Sequence, residues 1–149
     1  MANRAPFGTY NFDNVALAID GRRVVGLAEG DGVIDITPTT DVGKPIVGAD
    51  GSSLVAFSAD QSATMVVKLL ITSPFNAYLR QKVTRARAGA LTGVTFPIGF
   101  TDMSNGLSGG AVDATVIKEP PTTRGAAPGE QEWHIFLPVW EATDITVNR

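Results

Sequence analysis

Few residues in this chain of 149 have the chemistry to catalyse anything. Gly106-Leu107-Ser108-Gly109-Gly110 matches the G-x-S-x-G pattern of a nucleophilic serine. The pattern works only where a sharp strand-to-helix turn exposes the hydroxyl and a histidine takes its proton. Here the next stretch, 111–117, has strand character, and the one histidine, His134, lies inside another strand-like run. A glycine-rich loop is the better reading. His134 has no second histidine to share a metal with, and nothing has EF-hand spacing. Glu29, Asp31 and Asp35 surround a Gly30/Gly32 turn and could gather carboxylates for calcium, but Asp and Gly so placed are ordinary turn chemistry. Gly43-Lys44 runs into Pro45 and lacks the rest of a phosphate-binding loop. With no cysteine, thiolate catalysis, thiolate metal sites and disulfides are excluded. No catalytic, metal or cofactor site is expected, and the chain does not read as an enzyme.

Charge offers a second kind of chemistry. Arg80, Lys82, Arg85 and Arg87 cluster in "TSPFNAYLRQKVTRARAGA", a segment with helical spacing. Such a sector could read nucleic acid, lie on a membrane surface, or simply complement the negative end of a helix dipole. The whole chain carries 12 basic and 15 acidic residues, a net charge of −3, whereas a nucleic-acid grip normally comes with a basic domain. A membrane-surface helix would carry a richer apolar face. The structural reading, an amphipathic helix packed on a sheet with its basic residues on the outer face, is therefore favoured. Charged residues make up 18% of the chain, below the roughly 25% of average soluble domains, which fits a subunit that hides surface against copies of itself.

These residues need elements to hold them. The length suits one compact domain, 1–149. The start, MANRAPFGTYNF, has no apolar signal core, and no run reaches a membrane span. Val15, Leu17 and Ile19 alternate, and Asp20-Gly21 is a hairpin-turn signal before a returning strand at 22–27. A strand is expected at 33–37. "PTTDVGKPIVGADGSS", 38–53, is rich in Gly, Pro and Asp and reads as a long loop or an irregular extended hairpin. Residues 63–72 form the strongest strand, apolar on both faces and hence central, with Met65, Val67, Leu69 and Ile71 on one side. Ser73 then reads as a helix cap and Pro74 as the first helical position, with the helix over 74–88 and Gly89 as its stop. Pro97 marks 93–100 as an edge strand. Residues 102–110 read as loop, 111–118 as strand, and 132–140 as the last strand, with Trp133, Ile135, Leu137 and Val139 on one side. The pattern is mostly β with one flanking helix, in a sandwich or barrel.

The order of several stretches carries a resemblance. "TYNFDNVALAIDG", "AEGDGVIDI", "VGADGSSLVAFSADQSATMVVKLLITSPFNAYL" and "EWHIFLPVWEATDI" together resemble the tail tube proteins of contractile-tailed bacteriophages. The likeness spans most of the chain; over 91–130 the reading rests on pattern alone. It implies a β-sandwich or barrel subunit of the phage tail-tube type, with hexameric rings stacked into a tube. The expected partners are further copies, the tail sheath protein, baseplate and tail-terminator proteins at the tube ends, and tape-measure protein and DNA in the channel without tight binding. The expected place is the virion tail, after assembly in the host cytoplasm. Within this frame the long 39–51 segment is the candidate contact between rings, through Thr39, Asp41, Lys44, Ile46 and Asp50. The rival reading is a small monomeric β-sandwich binding module.

Overall fold

The computed structural model describes residues 11–30, 32–104, 106–127 and 129–144. A 3-10 turn at Phe12–Asn14 leads into β1 (Val15–Ile19), β2 (Arg22–Arg23), β3 (Ile34–Pro38), β4 (Gly43–Val47), β5 (Ser53–Phe57) and β6 (Ala63–Leu70). Helix α1 (Phe75–Arg87) follows, then β7 (Phe96–Asp102), β8 (Leu107–Lys118), β9 (Glu130–Leu137) and β10 (Glu141–Asp144). All the strand pairs are antiparallel.

The hydrophobic alternation sets the core. Val15, Leu17 and Ile19 of β1 point inward, as do Ala63, Met65, Val67 and Leu69 of β6 and Trp133, Ile135 and Leu137 of β9. Each large side chain so buried contributes about 1.5–3 kcal/mol. The sheet runs β2-β1-β7-β8-β9-β6-β3, with β10 on β8. It also closes on itself. The chain leaves β1 after Val24, whose N–H donates to Leu17 O, and joins β6: Ala28 N donates to Lys68 O at 2.9 Å and Leu70 N to Gly26 O at 2.7 Å. The result is a small barrel, in which β3 continues along the same edge of β6 that residues 26–28 join, pairing with residues 63–67.

Asp20 and Gly21 sit at φ 54° and 76°, as a tight hairpin turn between right-twisted strands requires. The long β8 belongs to two sheets. Its first half pairs with β7 on one edge and β10 on the other, and its second half pairs with β9. β9 and β10 lie along β8 in a common register, interrupted at 138–140, where Pro138 has no N–H to offer and Trp140 N turns to Gln61 O.

Helix α1 adds Phe75 and Leu79 to the barrel core, with Tyr78 and Val83 partly buried beside them. It is tied down by polar contacts as well. Buried Trp133 donates its indole N–H to Asn76 Oδ1 at 2.9 Å, and Asn76 Nδ2 donates to Leu70 O at 2.8 Å. Tyr78 donates to Asp20 Oδ2 at 3.0 Å, and Arg22 lies over the Phe75 and Tyr78 rings.

Several expectations change. Pro97 is not on an edge: β7 lies between β1 and β8, and the proline sits where β8 bulges, Phe96 facing Ala114 and Ile98 facing Ala111. Residues 107–110 are strand rather than loop, and Ser108 is paired with Thr101 and Thr143 on its two sides. The G-x-S-x-G stretch therefore forms no nucleophile elbow. The last strand breaks at Pro138, which leaves Val139 exposed, and Ile71 is exposed because β6 ends at Leu70. Ser73 donates to Val25 O at 2.6 Å and accepts from Phe75 N only at a long 3.4 Å, so it fastens the helix to the barrel closure more than it caps it. Of the acidic trio, Asp31 lies outside the described residues, and no metal-binding cluster occurs among those described.

Candidate assembly surfaces

The segment read as a loop or irregular hairpin is a well-formed hairpin. β4 and β5 pair only with each other, as a sheet separate from the barrel. Together with β3 and β6 they make one long hairpin, whose inner half is barrel and whose outer half is a projecting arm. The two halves meet where Thr39 N donates to Ser62 O and Ser58 N to Val42 O. Between these bonds Thr40 Oγ1 donates to Asp60 Oδ2 at 3.1 Å, and Asp60 Oδ1 accepts from Ser62 N at 2.9 Å. Hydrogen bonding to the ionised form from the Ser62 hydroxyl first, then from Ser62 N–H and Thr40, holds the Asp60 carboxyl below its ordinary value of 3.8.

The arm is apolar on both faces. Cross-strand partners share a face, so Pro45, Val47, Val55 and Phe57 lie on one side and Ile46, Leu54, Ala56 and Lys44 on the other. Val47 is 71% exposed, Leu54 64% and Phe57 77%. A hairpin in water normally keeps one face polar. A two-faced apolar hairpin is a surface for another molecule to cover. At its tip Gly51 adopts φ 89°, and Asp50 Oδ1 accepts from Ser52 N at 3.0 Å.

The predicted contact residues all fall on this arm or its base. Thr39 and Asp41 stand at the base, Lys44 and Ile46 on β4, and Asp50 in the tip turn. Val42 and Val47, inside the 39–51 segment, and Leu54, Val55 and Phe57, beyond it, are exposed apolar residues of the arm that sequence reasoning did not single out. The available signal was the run Leu54-Val55-Ala56-Phe57, which lacks the polar alternation of a strand with one wet face.

Of the basic residues of α1, Arg80, Arg85 and Arg87 are exposed and Lys82 is half-buried, and Arg80, Lys82 and Arg87 make local contacts. Arg80 stacks over the Trp133 ring, Lys82 donates to Gly93 O at 3.0 Å and lies over Tyr78, and Arg87 pairs with Glu119 at 2.9 Å. Arg85 covers Gly93 so closely that a Cβ there would meet its guanidinium. Beyond Arg87, a groove of about 500 Å³ runs between α1 and the second half of β8, floored by Val83, Ala86, Val116 and Ile117.

Residues 7–142 match the family described as Bacteriophage PhiTE tail tube protein. The chain belongs to this family. No curated protein matches the sequence. The fold of this tube-family chain recurs in solved structures at low identity. The anti-feeding prophage cap, the AFP tube-terminating cap, is 13% identical, with TM-score 0.58 over 97% of this chain and 95% of that one. The PVC sheath/tube terminator of an extracellular contractile injection system is 13% identical, with TM-score 0.58 over 95% and 99%. The PVC sheath-tube complex chain is 11% identical, with TM-score 0.59 over 92% and 93%. At such identity the likeness is one of fold, and it agrees with the mostly β, single-helix architecture read from sequence.

Proposed function

We propose that this chain is the virion structural protein that builds the inner tube of a contractile phage tail. Hexameric rings stack into the tube, and its channel conducts DNA during ejection. The observation that carries this reading is the arm, a two-faced apolar hairpin on a tube-family chain. A monomeric binding module, the rival, would leave that surface in water. In the tube the arm reaches the next ring and buries Val47, Leu54 and Phe57 there, with Asp41, Lys44 and Asp50 free to pair with charges on the neighbour. The tail sheath protein packs outside, tape-measure protein and DNA pass inside without tight binding, and baseplate and terminator proteins close the ends. Assembly takes place in the host cytoplasm, and the protein ends in the virion tail.

Negative-stain microscopy and light scattering of the purified chain test this. Rings or tubes are expected; a monomer at high concentration overturns it. Replacing residues 41–49 with a short Gly/Ser link separates the two contact directions. Rings without tubes would support the arm as the axial contact, and tubes of normal length would remove that role.

A further inference from the structure

We propose that Trp140 is the strut that sets the angle of the arm, a positioning residue seated on Gly109 of β8. Its purpose rests on the tube reading above, while its geometry rests on the barrel and the arm alone. The arm is a two-stranded ribbon that pairs with no other strand. An isolated hairpin is only marginally stable, and with no second layer to stiffen it the ribbon yields most readily out of its own plane. At the base the two strands are locked to each other. Thr39 N donates to Ser62 O and Ser58 N to Val42 O, and Asp60 accepts from Thr40 Oγ1 and from Ser62 N. Asp60 N in turn donates to Ser58 Oγ at 3.1 Å. These bonds run across or along the ribbon, so none of them opposes a tilt toward or away from the barrel.

Trp140 does oppose it. Its backbone N–H donates to Gln61 O at 2.8 Å, which ties it to the strand returning from the arm. Its indole is half-buried against the barrel core and rests on Gly109, where a Cβ would meet Cη2 at 2.6 Å and Cζ2 at 2.7 Å. Glycine inside a strand marks such a close approach. Gly109 thus gains a role within the glycine-rich stretch whose serine forms no nucleophile. The same indole lines a cavity of about 330 Å³ at the arm base, with Thr40 and Val42 from the outgoing strand and Ser58, Asp60 and Ser62 from the returning one. A rigid ring therefore stands where the β8 surface meets the crossing of the arm strands. Removing it would enlarge the cavity and let the arm tilt into it. The break at Pro138 serves the same end, because it frees residue 140 from the β9 register to reach Gln61. An arm already held in its docking direction loses less freedom when it meets the next ring.

The chain has no cysteine, so a labelled pair can be placed cleanly. Spin labels at Ser52→Cys in the arm tip and Glu132→Cys on β9, both exposed positions, read the arm's direction in the purified chain below its assembly concentration. One narrow distance distribution is expected. Trp140→Ala should make it about twice as broad, and Trp140→Phe, which keeps a ring over Gly109, should restore most of the narrowness. Circular dichroism and the emission of Trp133, then the one tryptophan left, should show the barrel folded. Should Trp140→Ala fail to fold, Trp140→Leu carries the same comparison. In assembly, Trp140→Ala should still form rings but need roughly tenfold or more protein to form tubes, with Trp140→Phe close to the unaltered chain. If Trp140→Ala keeps the narrow distribution and stacks normally, the strut is refuted and the tube reading stands. A broader distribution with unchanged stacking overturns its role in assembly. If the unaltered chain stays monomeric at high concentration, the tube reading falls, and the distances still decide whether Trp140 holds the arm.

Discussion

Asn76 shows how one side chain fixes an element. Its amide is buried and used at both ends, accepting from the Trp133 indole and donating to the Leu70 carbonyl. Asn76→Ala would strand a buried donor and a buried acceptor, each costing about 1–3 kcal/mol. We expect a loss of about 3 kcal/mol in denaturant unfolding, measured at fixed protein concentration because association adds its own stability. Asn76→Asp should not rescue it, since a carboxylate cannot donate to Leu70 O. Asp60 supports a pH prediction. Its carboxyl is lowered below 3.8 by bonds from Ser62 and Thr40, so the stabilisation is complete above that value and is lost as pH falls through the lower folded value. Hydrogen exchange at the arm base should thus be flat from neutral pH to about 4, after correction for intrinsic rates, and protection should fall only below it. Asp60→Asn should remove this dependence. None of these roles was legible in sequence. Ser73 looked like a helix cap because Ser-Pro is a local signal, whereas its main bond goes to a carbonyl 48 residues away.

Elements with a wet face and a dry face were legible, and elements shaped by their neighbours were not. β1 and β9 show clean alternation, and their buried residues are those the pattern selects, apart from the end at Val139; β6, apolar on both faces, buries the Met65, Val67, Leu69 side and leaves Ile71 exposed at its end. Helix α1 occupies nearly the expected span. The arm escaped because period-two reasoning assumes a core to one side, and here neither side has one among the described residues. Pro97 misled because a bulge in the neighbouring strand accommodates a proline inside a sheet. Barrel closure gives an element-scale prediction. Gly26 adopts φ 78°, and a Cβ there would meet Ser73 Cβ at 2.8 Å, beside the Ser73–Val25 bond. Gly26→Ala should cost about 1–3 kcal/mol through crowding plus strain, with the extra exchange confined to 24–28 and 68–73. Unchanged protection there would show that closure does not depend on this approach.

At the scale of the whole molecule, the proposed tube raises the question of how its channel would treat DNA. A ring of six chains at −3 each, as proposed, would carry −18, and its mean field would repel phosphate. The cations of α1 are the natural objection. Yet Arg87 is paired with Glu119, Lys82 is bonded to the Gly93 carbonyl, and the Arg80 guanidinium sits over the Trp133 ring, 5.8 Å from its centroid. Recruiting them for phosphate would break contacts that hold the helix in place. Tight DNA binding requires several simultaneous lysine or arginine contacts, each releasing counterions and steepening the salt dependence. A wall that held DNA that way would also stop it from sliding. The assembled chain is therefore expected to give no shifted band with double-stranded DNA at moderate salt, and no more than a weak smear at low salt. Arg87→Ala should leave this result unchanged, because that guanidinium is already spoken for by Glu119. Tight, steeply salt-dependent binding that Arg80→Ala or Arg87→Ala weakened would instead make α1 a nucleic-acid surface, and would place it against DNA rather than on the outer side of the tube.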